Sequence, residues 1–304
     1  MTMGDGWQWR APPNWPAAPP GWRPPAGWVP PPGWPSAPPD WAFWVPAPGA
    51  ALPVVTALDA PTRRRLVLET WFVMVAFLAV PLTSAVAILV QHISGDTGIT
   101  RFPTIVHGHP LTNMFVGILT YMPVVALVPL ALLLLTRTGQ PPASIGLGRP
   151  RLTEDVFPGL GLAGLAFAVE FLLAVPLAPL LNDRSKLVVP VHLGHEPGYY
   201  VVWGLAASAL TAIAEETFVN GYLITRLQQL GWTPGRALAL SLVLRTSYHV
   251  YYGVGFLLTV PFGYFVTRSF QKHRRLNRAI AAHFLYDAIL FTIAFTITPA
   301  ILAH

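Results

Sequence analysis

The sequence predicts an all-α polytopic membrane protein, with about seven transmembrane helices behind a disordered N-terminal tail rich in proline and tryptophan. Three observations carry this. Of the 304 residues, 53% are hydrophobic and only 11% are charged, where a soluble domain has about 25%. Apolar runs long enough to cross the ~30 Å hydrocarbon core recur along the chain. The net charge of +6 is concentrated between those runs, which points to membrane topology and not to a nucleic-acid partner. Cysteine is missing from the composition, which excludes disulfides, thiolate nucleophiles and thiolate metal sites.

Residues 1–60 differ from the rest. Five related units recur: Pro12-Pro13-Asn14-Trp15, Pro19-Pro20-Gly21-Trp22, Pro24-Pro25-Ala26-Gly27-Trp28, Pro31-Pro32-Gly33-Trp34 and Pro38-Pro39-Asp40-Trp41. Proline at this density removes amide donors, so polyproline-II-like chain without packed structure is expected. Such a tail suits a proline-recognition partner, or sets tryptophans at the lipid headgroups. Its plain reading is a low-complexity cytoplasmic extension.

Arg63-Arg64-Arg65 precedes the first span, at 66–90. Positive-inside logic places the tail in the cytoplasm of a multi-pass cell-membrane protein. A second span at 112–135 leads to a loop with Arg137, Arg149 and Arg151, assigned inside. The third span, 156–181, holds Glu170, read as a structural partner. The loops at 91–111 and 182–197 are assigned outside; their His107, His109, His192 and His195 are read as incidental. Residues 61–197 thus form an N-terminal set of membrane helices, and 198–304 a membrane core.

In that core, span four runs from 198 to about 226–229, span five covers 236–252, and a short span six covers 254–267. Arg268, Lys272, Arg274, Arg275 and Arg278 then form the strongest inside loop, before span seven at 279–298. Span four carries Glu215-Glu216 inside an otherwise apolar run. A carboxylate at the centre of a membrane helix costs about 2.5–3.5 kcal/mol on translocon scales. Two adjacent ones need a use, or partners.

Those partners recur at i,i+4, which puts two side chains on one helix face. Glu216 pairs with Asn220, Arg245 with His249, and His283 with Asp287. Three polar stripes on three helices converge most economically on one water-filled cavity. There a carboxylate can take a proton from water and return it to a leaving amine, while two histidines can donate to an oxyanion or bind a divalent ion. A metal reading gives that ion to His249 and His283. A proton relay in a transporter would use the same carboxylates. Depth is the difficulty. His283 lies about five residues past Arg278, or ~7 Å, whereas Glu215 lies about 13 residues before the next loop, or ~20 Å. A shared site needs span seven to tilt, or the basic loop to begin earlier.

Glu215-Glu216-x-x-x-Asn220-Gly221-Tyr222-Leu223, then Arg245-x-x-x-His249, then His283-x-x-x-Asp287 resembles the three motifs of the CPBP (CAAX protease and bacteriocin-processing, or Abi) family of intramembrane proteases. That pattern is Glu-Glu-x-x-x-Arg, Phe-x-x-x-His and His-x-x-x-Asn/Asp on successive membrane helices, and the resemblance covers about 198–298. It implies a membrane hydrolase acting on a protein or peptide substrate. Glu215 would activate the attacking water and Glu216 would support it. His249 would act with Glu215, and His283 with Asp287 would bind the oxyanion. Members have been described as metalloproteases and as glutamate-dependent proteases, so zinc is implied as one alternative. Eukaryotic relatives process prenylated CaaX proteins; prokaryotic ones are associated with peptide processing, bacteriocin self-immunity and protein anchoring. A non-catalytic immunity or scaffold factor on the same fold is the rival. Two positions depart from the pattern: Asn220 stands where the family has Arg, and Arg245 where it has Phe. Arg245, four residues before His249, is expected to supply the missing cation from the neighbouring helix.

Overall fold

The computed structural model describes residues 7–19, 21–25, 27–38, 41, 43–46, 59–93, 110–181 and 197–302. The outside loops with His107, His109, His192 and His195 fall outside the described residues.

The membrane-embedded part is helical. Helix α1 is Ala60–Ile93; α2 (Pro110–Leu119), α3 (Met122–Val125) and α4 (Val128–Arg137) follow one another as a broken rod; α5 is Phe157–Leu181. Helix α6, Pro197–Glu215, continues through a π-helical stretch, Glu216–Ile224, into α7, Thr225–Gln229. Then come α8 (Pro234–Ser247), a 3₁₀ segment (Val250–Leu258), α9 (Thr259–His273) and α10 (Leu276–Leu302).

Among the described residues, four helical stretches are long and apolar enough to cross a membrane: Ala60–Val90, Phe115–Arg137, Leu152–Pro179 and Val201–Gln229. The expected count of seven is therefore not reached on these criteria. The 14 residues of α8 and 15 of α9 fall short of the ~20 that a full crossing needs. The 3₁₀ segment between them absorbs Gly253 and Gly255. Lipid-facing character is plain on α1, where Leu68, Phe72 and Val75 are exposed, and on α5, where Phe171, Leu172 and Val175 are.

The core forms where these helices meet the π stretch. Every residue of Glu216–Ile224 is buried, so the packed helical run continues past the two glutamates. Phe218 stacks on Phe77 of α1 with centroids 4.5 Å apart. Arg226, fully buried, donates to Glu69 Oε1 of α1 at 2.7 Å, to Thr138 Oγ1 at 2.5 Å, to Gln229 Oε1 at 2.8 Å and to the Leu134 carbonyl at 2.7 Å. Tyr222 adds its hydroxyl to Glu69 at 3.0 Å. One guanidinium thus ties α1 and α4 to α7.

The basic loop is short and roofed, which resolves the depth problem. Helix α9 ends at His273 and is capped by Arg274, in the left-handed region at φ 52°, and α10 begins at Leu276, itself fully buried. The α4–α5 connection folds over this turn. Gly146 sits at φ 71°, and a Cβ there would lie 2.2 Å from the Arg274 carbonyl oxygen. Asn277 donates its backbone N–H to the Gly146 carbonyl at 3.2 Å and its side-chain amide to the Gly148 carbonyl at 2.9 Å. Arg275 forks onto Asp155 through Nε at 2.7 Å and Nη2 at 2.8 Å. The loop shrinks to Arg274–Arg275 and α10 begins three residues before the expected start of span seven, so His283 lies two turns into α10, within reach of Glu216.

The tail differs from the expected disordered chain. Trp7–Trp9 (β1) pairs antiparallel with Trp44–Pro46 (β2). Each repeat closes a turn, with the backbone N–H of Trp15, Trp22, Trp28, Trp34 and Trp41 donating to the carbonyl three residues earlier at 3.0–3.2 Å. Proline removes its own donor, but the tryptophan keeps one. Gly21, third in its turn at φ 77°, has the positive φ that a type II turn needs there. The rings then pack edge to face, Trp9 meeting Trp22, Trp28 and Trp44 at 5.5–5.8 Å.

Candidate active site

Glu215 is the last residue of α6, and Glu216 opens the π stretch. π-Helical insertions are rare and frequent at functional sites because they re-aim side chains. Here the two carboxylates receive different surroundings.

Glu216 is fully buried and saturated. Its Oε1 accepts from Arg245 Nη1 at 2.8 Å and meets His283 Nδ1 at 2.7 Å. Its Oε2 accepts from the Asn220 amide at 2.5 Å. A buried carboxylate survives only when paired and hydrogen-bonded in this way. Glu215 is held more loosely. Its side chain is 14% exposed, its Oε2 accepts from the Tyr248 hydroxyl at 2.6 Å, and Arg245 Nη1 stands 3.5 Å from the same oxygen.

Arg245, in the last turn of α8, is therefore shared between both glutamates. It occupies the place expected of it, and Asn220 fills the remaining acceptor of Glu216. Gly263 of α9 makes room: a Cβ there would be 3.0 Å from Arg245 Cδ and 2.9 Å from Leu242 Cδ2. Phe262 lies beside the guanidinium, its centroid 5.9 Å from Cζ, and 5.1 Å from the His283 ring. Nε and Nη2 of Arg245 are buried without a hydrogen-bond partner among the described residues.

His249 departs from the expected stripe. Helix α8 ends at Ser247, so His249 does not continue its face. Its Nδ1 instead lies 2.9 Å from the Arg245 carbonyl oxygen, one of the orphan carbonyls at that helix end. A carbonyl only accepts, so Nδ1 carries a proton, and in the neutral ring Nε2 is the nitrogen with the lone pair. Tyr252 stacks on the ring at 5.8 Å and 13°. On α10, His283 Nε2 stands 3.5 Å from Asp287 Oδ2; the i,i+4 spacing holds there.

The seven residues singled out in the sequence thus gather where α6, α8, α9 and α10 meet. Sequence reasoning missed Tyr248 and Phe262. Tyr248 carries a signal, standing next to His249 just past a helix end; Phe262 carries none beyond lying in the short span with Pro261. Glu170 stands apart, accepting from the Tyr286 hydroxyl at 2.5 Å, as a structural partner would.

The histidines do not converge as metal ligands. His249 spends Nδ1 on a carbonyl, and His283 faces a carboxylate with each nitrogen. Among the described residues no three His, Asp or Glu side chains are placed to hold a metal ion. The metalloprotease reading finds no support in this geometry.

No curated protein and no solved structure matches the chain. Residues 197–289, about a third of the chain, match the family described as type II CAAX prenyl endopeptidase Rce1-like. At the family level the match supports a protease of the membrane. The site described above lies wholly inside the matched stretch, and over it the chain is consistent with the CPBP family of CAAX-protease-like membrane endopeptidases.

Proposed function

We propose that the chain is an intramembrane endopeptidase in which Glu215 activates a water molecule for attack on a peptide carbonyl. The observation that carries this reading is the asymmetry of the two glutamates. Glu216 is saturated by Arg245, His283 and Asn220, whereas Glu215 keeps part of its carboxylate open, within electrostatic reach of His249.

The steps follow from the groups present. Tyr248 fixes Oε2 of Glu215, so Oε1 is the oxygen left to take the proton of water. The Nε2 lone pair of His249 accepts the second water hydrogen and aims the oxygen lone pair at the carbonyl carbon. As the C–O bond forms, negative charge develops on the carbonyl oxygen. His283 Nε2, only loosely held at 3.5 Å from Asp287, and Arg245 Nη2 are the donors available to it. The C–N bond then breaks, and Glu215 returns its proton to the leaving amine. Glu216 positions; Glu215 reacts. No step is routed through zinc.

The family suggests prenylated C-terminal CaaX peptides as one substrate class. Purified wild-type chain in liposomes is expected to release the last residues of a farnesylated, internally quenched CaaX peptide, and Glu215→Gln to release none. Cleavage by Glu215→Gln at the wild-type rate would overturn the assignment of the base.

A further inference from the structure

Away from the glutamates, a groove of about 580 Å³ opens between the N-terminal end of α5, the start of α8 and the last turns of α9. Its volume falls in the ~300–1,000 Å³ range of ligand pockets. Pro158, Gly161, Leu162, Leu165 and Phe265 make an apolar wall. Arg268, Lys272, His273 and Arg278 stand along the rim, and none of the lining residues is acidic. No residue of the catalytic cluster lines it.

A run of basic residues beside a membrane helix is most often a solvated topology signal. Here the charges come from two helices and close on one concavity, and they are poorly neutralised. Among the described residues Arg268 donates only to Gln271 Oε1, at 3.2 Å. Arg278 spends Nε on the Glu154 backbone carbonyl at 2.9 Å. Lys272 has no hydrogen bond or ion pair among the described residues. The nearest acids hydrogen-bond other arginines, Asp155 to Arg275 and Glu154 to Arg151 and Arg275; they partly offset Arg278 and are no ion-pair partners of Arg268 or Lys272. Gln271 donates to the Pro234 carbonyl at 2.8 Å, and Gln228 accepts from Arg274 at 3.2 Å.

We propose that this groove binds an anionic phospholipid, its phosphate among Arg268, Lys272 and Arg278 and its first acyl carbons along Leu162, Leu165 and Phe265. Charge complementarity selects the headgroup, since basic pockets between helices at headgroup depth hold anionic lipids. The adjoining apolar wall selects a lipid over a free anion. Leu165 is exposed on the lipid-facing side of α5, so a chain entering from the bilayer meets no barrier.

The test is native mass spectrometry of the full-length protein, delipidated in detergent and titrated with phosphatidylglycerol or phosphatidylcholine. Wild type is expected to retain phosphatidylglycerol preferentially. Lys272→Gln should weaken retention about fivefold and Arg268→Gln with Lys272→Gln about thirtyfold, at about 1 kcal/mol per charge. Arg63→Gln, on α1 outside the groove, should leave it unchanged. Circular dichroism checks that each variant keeps its helices, and the mild Lys272→Gln change avoids reversing a charge. Equal retention of both lipids, equal loss in Arg63→Gln, or displacement of the lipid by millimolar inorganic phosphate alone would overturn the proposal. The readout is lipid retention, so it is independent of whether the chain cleaves peptides.

Discussion

Arg245 is the residue on which the site turns, because its guanidinium reaches both glutamates and it stands where the family pattern has phenylalanine. Removing one partner of a buried ion pair costs about 3–5 kcal/mol, as the other charge is left uncompensated. Arg245→Phe is therefore expected to lower both thermal stability and cleavage, the latter by about a hundredfold, the scale on which a preorganised donor acts. Adding Asn220→Arg, which returns a cation to Glu216 from its own helix, is expected to restore most of both. Kinetics and thermal unfolding of the two variants check this; full activity in Arg245→Phe alone would refute it. Much of this was legible in the sequence, since Glu216–Asn220 and His283–Asp287 lie one helical turn apart. Tyr248 was not, because a tyrosine beside a histidine has no pattern until α8 is known to stop at Ser247. The same helix end turned His249 away from its expected face and onto the Arg245 carbonyl.

At the scale of elements, two devices set the depth of the site. The first is the roof over the α9–α10 turn. Gly146 has positive φ and lies against the Arg274 backbone, so Gly146→Ala combines a left-handed penalty of about 1–2 kcal/mol with a clash against atoms that cannot rotate away. Thermal unfolding in detergent is expected to show a loss at least that large, with cleavage falling as α10 shifts. An unchanged midpoint would mean that the roof does not hold the turn. The second is the buried Arg226, with Glu69 as its ionic partner. Arg226→Met is expected to cost about 3 kcal/mol, the lower end of the buried-pair range, because Glu69 keeps contact with water. Arg226→Met with Glu69→Gln should recover most of the stability in the same melts. Hydropathy could not show either device. It reads a basic loop as surface, whereas Leu276 beside it is fully buried; it does show span six to be short, but not the 3₁₀ segment that separates α8 from α9.

The whole molecule joins a membrane core to a small tryptophan-rich unit. The repeats were visible in the sequence; their folding was not, because proline density argues against regular structure while five tryptophan amides and the positive-φ glycines close the turns. Trp15 donates Nε1–H to the Pro35 carbonyl at 2.6 Å and packs on Trp34 at 5.1 Å. Trp15→Ala in the full chain is expected to diminish the near-ultraviolet circular dichroism of the coupled indoles while leaving the helical far-ultraviolet signal intact. Identical near-ultraviolet spectra would contradict the packed unit. The helices of the matched region bring Glu215, Glu216, His283 and Arg245 together. The most direct measurement compares the membrane proteomes of cells carrying wild type and Glu215→Gln at equal expression. The expected result is a set of peptide termini present with wild type and missing with the variant. Identical termini in the two membranes, with the wild-type protein folded and inserted, would contradict proteolysis by Glu215.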